Sequence, residues 1–212
     1  YLEKIKVWKP NISVIKKTAG KRLFILGPSR SGKSTLEHIL SKSHKTKPLY
    51  EAHKELHQSD ANLNLEGQLD FEKLFFEQEN KLIKQGYEVT TSTEPTLLQS
   101  VMYLADKLPN AYFIFVNRDQ QNVAPEIFTT DYQKGHYYSY DPNNIMEYLN
   151  FYKEASDKLE AKAPNRIMHF AFEQIIENPS SVVEIISDFI SVDFGINPFA
   201  FDGKILFRDS IF

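Results

Sequence analysis

The chain predicts an α/β domain: a three-layer P-loop fold with a central, mostly parallel sheet flanked by helices. Three observations carry this. Residues 27–35 read Gly-Pro-Ser-Arg-Ser-Gly-Lys-Ser-Thr and follow the apolar run Leu23-Phe24-Ile25-Leu26. Further strand candidates follow at 87–91, 111–116 and 166–170, each separated from the next by a segment with helical periodicity. The run 111–116, Ala-Tyr-Phe-Ile-Phe-Val, has the unbroken apolar character of a parallel strand covered on both faces. Alternating strands and helices give a parallel sheet with right-handed crossovers, whose ligands sit beyond the carboxyl ends of the strands.

Composition sets the outer bounds. At 212 residues the chain is long enough to bury a sizeable core, and one domain over 21–212 after a lead-in at 1–20 is the economical division. A net charge of −3 provides no global basic field, so nucleic acid is not the expected partner. There is no cysteine, which removes disulfides, thiolate zinc sites and cysteine nucleophiles and fits a reducing, cytoplasmic setting. No apolar run approaches the roughly 20 residues of a membrane span. A start at Tyr1 in place of Met fits an excised domain or a processed product.

The elements follow in order. Residues 1–20 mix Lys with Ile, Val and Trp8 around Pro10 and predict an extended lead-in, an edge strand or the remnant of a linker. Strand 21–26 leads into the glycine-rich turn and a helix over 34–43. A polar turn at 60–64 precedes helix 70–86, with Phe71, Leu74, Phe75, Leu82 and Ile83 at helical spacing before Gly86. Helix 96–108 ends at Pro109-Asn110, and strand 111–116 follows. Residues 123–128 are helical beyond Pro125, and 133–141 form a Tyr-rich loop. Helices 142–163 and 179–190 carry apolar stripes that belong to the core, with strand 166–170 between them.

The chemistry concentrates at 27–35. Gly27 and Gly32 bracket a complete G-x-x-x-x-G-K-[ST] loop, in which glycine lets successive N–H groups face phosphate oxygens. The following helix turns its positive end to the same anion. The expected phosphate ligands are Gly27, Ser29, Arg30, Ser31, Gly32, Lys33, Ser34 and Thr35. Arg118 lies just past a strand end and is expected to converge on the same ligand. The plain alternative for Arg118-Asp119 is an ion pair capping the strand. On the plain reading Glu51 is an ordinary solvated glutamate, with His53 and His57 nearby. Tyr137, Tyr138 and Tyr140 either line an acceptor pocket or pack with one polar end wet.

Several blocks, in order, resemble the P-loop sulfotransferases, most of all the sulfotransferase domain that follows tetratricopeptide repeats. Residues 27–40 are similar to that family's 5′-phosphosulfate loop. Residues 108–119, with Asn117-Arg118-Asp119, resemble its F-P-N-A-strand-R-R-D segment. Tyr138-Ser139-Tyr140-Asp141 resembles its Y-S-Y-D block, and Phe172-Glu173 with Glu177-Asn178-Pro179 its Y-E-D-L-x-x-x-P stretch. Glu173 is expected to anchor neighbouring backbone from a buried position.

The resemblance implies a transferase that moves a sulfuryl group from 3′-phosphoadenosine 5′-phosphosulfate to an acceptor hydroxyl or amine. It implies Arg30 and Lys33 on the 5′-phosphate, Arg118 on the 3′-phosphate and Glu51 as general base. The implied partners are the nucleotide, an unidentified acceptor and an upstream repeat domain. Residues 43–64 and 129–140 would form the acceptor loops. Lys204 and Arg208 bear a faint resemblance to a basic nucleotide-closing loop.

Four departures from the pattern leave alternatives open. Gly-Lys-Ser stands where Gly-Thr-Thr is usual, and Pro28-Ser29 alters the order before the basic residue. Ser92-Thr93 stand at the family's Asp-Lys. Glu126 falls where a serine joins the arginine, unless a register shift brings in Thr129 or Thr130. Lys33-Ser34 favours a nucleoside-triphosphate-dependent kinase with Mg-ATP, although no strand ends in an obvious second carboxylate. A nucleotide-binding module without turnover is the third reading.

Overall fold

Alternation along the two central strands builds the molecule. In the computed structural model, which describes residues 1–10, 20–49, 81–82, 84–93, 95–132 and 136–196, strand β1 (Lys21–Leu26) is buried throughout. It sends Leu23 and Ile25 to one face of the sheet and Phe24 and Leu26 to the other. Strand β4 (Ala111–Asn117) repeats the pattern, with Tyr112, Ile114 and Val116 on the first face and Phe113 and Phe115 on the second. Two buried layers result, one on each side of the sheet.

The sheet has five parallel strands in the order β2-β3-β1-β4-β5, where β2 is Thr46–Pro48, β3 Val89–Ser92 and β5 Ile167–Ala171. The first layer holds α2 (Lys33–Leu40), α6 (Phe172–Glu177) and α7 (Pro179–Ile190). The second holds α1 (Leu2–Val7), α3 (Val101–Lys107) and α5 (Pro142–Lys162). Helix α4 (Gln120–Thr129) joins α5 in a small cluster of Val123, Ile127, Ile145 and Leu149 beyond the end of β4. The α/β architecture expected from the sequence is therefore the one observed, and its strands are all parallel.

Differences from expectation have local causes. The opening segment is helical over Leu2–Val7 where an extended lead-in was expected. Its Ile5 and the following Trp8 enter the core, and Trp8 Nε1 donates to Asp106 at 3.0 Å. Strand β2 carries no apolar signal because it is a three-residue edge, where Pro48 is tolerated. The expected helix 96–108 opens as a 3₁₀ turn, Pro95–Ser100. Helix α4 starts at Gln120 because Asp119 caps it, accepting the Gln121 N–H at 2.7 Å, and Pro125 sits inside it. Asp141 caps α5 in the same way through the Asn143 and Asn144 N–H groups. Glu173 is only half-buried; Gln174 accepts the Ala171 N–H at 3.0 Å instead. Among the described residues no helix is long and apolar enough to cross a membrane.

Candidate functional site

The phosphate-type loop leaves the middle strand of the sheet, and Arg118 leaves its neighbour. Because Leu26 is level with Phe115, the chain turns at Gly27 directly beside Val116. A Cβ on Gly27 would lie 2.6 Å from the Val116 carbonyl oxygen and 2.4 Å from Ser31 Oγ. Gly32 has φ +99°, and a Cβ there would stand 2.2 Å from the Phe172 ring. These two close approaches are why glycine is required at both ends of the loop.

Gly32 is also the N-cap of α2 and offers no side-chain acceptor; its carbonyl takes the Thr35 and Leu36 N–H groups at 3.1 and 3.3 Å. Lys33 is buried and folds back across the loop, its Nζ donating to Pro28 O at 2.6 Å. Ser31 Oγ is buried inside the loop without a hydrogen-bond partner among the described residues. Its hydroxyl suits an anion seated in the cradle. Ser34 is exposed and Thr35 half-buried on the first turn of α2.

Arg30 adopts a left-handed backbone (φ 63°), a conformation that costs a non-glycine residue about 1 kcal/mol or more. That twist sends its side chain to the end of α4, where Nε donates to Thr130 Oγ1 at 3.1 Å. Thr130 in turn donates to the Glu126 carbonyl at 2.6 Å. Arg118 donates through Nη1 to the Arg30 carbonyl at 3.1 Å and packs its guanidinium over Phe172 at 4.9 Å. Its Nη2 pairs with Glu126 Oε1 at 2.7 Å. The alternative considered for Arg118, an ion pair with Asp119, is not formed: Asp119 serves as a helix cap while Glu126 takes the arginine.

Three groups escaped the sequence reading. Tyr152, from the middle of α5, accepts the Gly27 N–H at 2.9 Å, and Tyr132 shares a hydrogen bond of 2.6 Å with Ser29 Oγ. Tyr132 stacks on His136, His136 contacts Tyr138, Tyr138 stacks on Tyr148 at 4.0 Å, and Tyr148 meets Tyr152 edge-on. The aromatic chain thus begins and ends on the loop. Burial pushes the Tyr138 and Tyr148 phenols well above their ordinary range, with neighbouring tyrosines adding to the shift. The three tyrosines for which an acceptor pocket and ordinary packing were the alternatives divide: Tyr138 packs within this aromatic series, whereas Tyr137 and Tyr140 are exposed.

The third is Glu37, fully buried one turn beyond Lys33. Its carboxylate accepts Thr91 Oγ1 at 2.7 Å and Thr93 Oγ1 at 3.3 Å. A glutamate on the apolar face of α2, opposite a strand written Thr-Thr-Ser, is the signal that marks it. Of the two departures from the Asp-Lys pattern, Thr93 is buried on Glu37, while Ser92, level with Phe24 on β1, is buried on the other face of the sheet. Glu51, His53, His57, Lys204 and Arg208 lie outside the described residues, as does most of the expected acceptor loop 43–64. Among the described residues no cluster of His, Asp and Glu is arranged to hold a metal ion.

Solved structures of the same fold include the sulfotransferase from Alicyclobacillus acidocaldarius, with 16% identity, 85% of each chain covered and a TM-score of 0.56. The sulfotransferase domain of the Synechococcus PCC 7002 olefin synthase has 17% identity over 88% of this chain and 80% of that one, TM-score 0.53. Sulfotransferase STF1 from Mycobacterium tuberculosis H37Rv has 10% identity over 83% and 68%, TM-score 0.55. At such identities the likeness is one of fold. No curated protein matches the sequence. The Sulfotransferase family model matches residues 22–195, from the second residue of β1 to the segment after α7, and so the chain belongs to the sulfotransferase family.

Proposed function

We propose that the domain transfers a sulfuryl group from an adenosine 5′-phosphosulfate nucleotide to an acceptor hydroxyl or amine. In the family resemblance that donor is 3′-phosphoadenosine 5′-phosphosulfate. The observation that carries the reading is the meeting of Arg118 with the Arg30 carbonyl at 3.1 Å while the Arg30 side chain reaches Thr130, which gathers two arginines on the side of the loop that meets α4. The loop N–H groups, Lys33 and Arg30 would hold the 5′-phosphate and stabilise charge on the bridging oxygen as its bond to sulfur breaks. The acceptor oxygen or nitrogen would form the new bond to sulfur in line, and Glu51 would take its proton. Arg118 would face the ribose side. The blocks at 27–40, 108–119 and 138–141 also support placing the chain beside the domains that follow tetratricopeptide repeats. A cysteine-free composition supports a cytoplasmic setting.

A second reading, a kinase using Mg-ATP, is favoured by Lys33 followed by Ser34. A thermal-shift titration separates the two, since a ligand that binds only the folded state raises its melting temperature. Stabilisation by adenosine 5′-phosphate nucleotides without magnesium, lost in Arg30→Ala, supports the sulfotransferase site. Stabilisation by Mg-ATP alone, lost in Lys33→Ala, moves the assignment to triphosphates. A folded protein stabilised by neither sinks both and leaves a binding module of another kind.

A further inference from the structure

The surroundings of Arg118 point to a choice between donors. Its guanidinium is engaged on three sides: Nη1 on the Arg30 carbonyl, Nη2 on Glu126 Oε1, and one face on the Phe172 ring. Glu126 is held where it can keep that bond, because α4 is capped by Asp119 at one end and tied to Arg30 through Thr130 at the other. Its side chain nevertheless remains 46% exposed, so carboxylate lone pairs not used by Arg118 face outward beside the loop. The arginine charge on this side is therefore matched, and what the surface adds is an acceptor.

A hydroxyl and a phosphate respond to such a surface in opposite ways. A ribose hydroxyl has a proton to donate to a carboxylate. A phosphate at neutral pH is an acceptor with negative charge, and it must either displace the carboxylate from Arg118 or sit against it. Dinucleotide sites separate ribose hydroxyls from ribose phosphates by the same contrast of acid and arginine.

We infer that Glu126 is a specificity-determining residue that selects a nucleotide donor with a free ribose hydroxyl over one carrying a 3′-phosphate. The inference rests on the nucleotide reading of the Arg30–Arg118 site and narrows its substrate class to adenosine 5′-phosphosulfate.

Isothermal titration of the full chain with two probes that differ only at the 3′ position, adenosine 5′-monophosphate and adenosine 3′,5′-bisphosphate, tests it. The wild type is expected to bind the monophosphate at least as tightly as the bisphosphate. Glu126→Gln keeps the shape and removes the charge; it should tighten the bisphosphate by about tenfold or more and weaken the monophosphate, so that the preference between the two probes reverses. Glu126→Ser, at a site already exposed, should act in the same direction and checks the result should the glutamine variant disturb α4. A wild type that prefers the bisphosphate by about tenfold, or a ratio unchanged in both variants, overturns the role of Glu126 while leaving the nucleotide site standing. Binding of neither probe by the wild type overturns the nucleotide reading and this inference with it.

Discussion

Tyr152 and Gly27 are 125 residues apart in sequence and meet at 2.9 Å, the phenol oxygen accepting the N–H of the first loop glycine. The acceptor belongs to the longest helix of the second layer, so the loop is braced from the face of the sheet opposite α2. Tyr152→Phe removes the acceptor and leaves a buried N–H without it. The expected cost is about 1–2 kcal/mol, seen as a lower urea midpoint with an unchanged slope. An unchanged midpoint would show that the bond carries no net stability.

Gly32→Ala should be far more damaging than an ordinary loop substitution. The new methyl would stand 2.2 Å from the Phe172 ring on a backbone at φ +99°. About 2–4 kcal/mol of lost stability and loss of anion binding are expected. Adding Phe172→Ala supplies room but not backbone freedom, so the double variant should recover stability only in part. Full recovery would mean that the steric contact alone requires the glycine.

Arg30→Gly separates the two duties of that position. Glycine relaxes the left-handed backbone, so stability should hold or rise by up to about 1 kcal/mol. Nucleotide affinity should nevertheless fall by about tenfold or more, because the guanidinium is gone. Affinity that survives the change would remove Arg30 from the site.

Glu37→Ala leaves the buried Thr91 and Thr93 hydroxyls without this acceptor, and a loss of about 2–4 kcal/mol is expected. Glu37→Gln retains an acceptor oxygen and should cost less. Equal urea midpoints for the two variants would show that the hydroxyl contacts contribute nothing.

Alkaline pH should expose the aromatic chain. Tyr1, Tyr138 and Tyr148 have phenols raised by burial, so the folded protein holds their protons where the unfolded chain releases them. Their contribution to stability is complete below the ordinary tyrosine value near pH 10 and declines as the pH rises above it. Absorbance at 295 nm should show the exposed phenols ionising first and a second group ionising only with cooperative unfolding. Ionisation of all eleven tyrosines in one smooth step, with circular dichroism unchanged, would contradict this.

The elements that the sequence made legible are those whose cause is local. The apolar runs of β1 and β4 must be buried on both faces, and Gly27, Gly32 and Lys33 announce a phosphate-type turn by themselves. The place of Arg118 beside the loop was legible from its position after a buried strand. The bracing of the loop was not, because Tyr132 and Tyr152 look like any half-polar core tyrosine until the layers close. Glu126 was visible only as a mismatch with the family pattern; its pairing with Arg118 depends on the pitch of α4 and on Asp119 starting that helix early. The opening helix was missed because six residues carry too little periodicity, and its burial comes from packing on α5 rather than from propensity.

The bond from Lys33 Nζ to Pro28 O has a thermodynamic consequence for whatever enters the loop. A lysine left to wander in solvent would surrender its rotamer freedom at the moment of binding; this one has surrendered it during folding. An anion entering the loop would exchange one oxygen partner of this lysine for another, with little further ordering of its side chain.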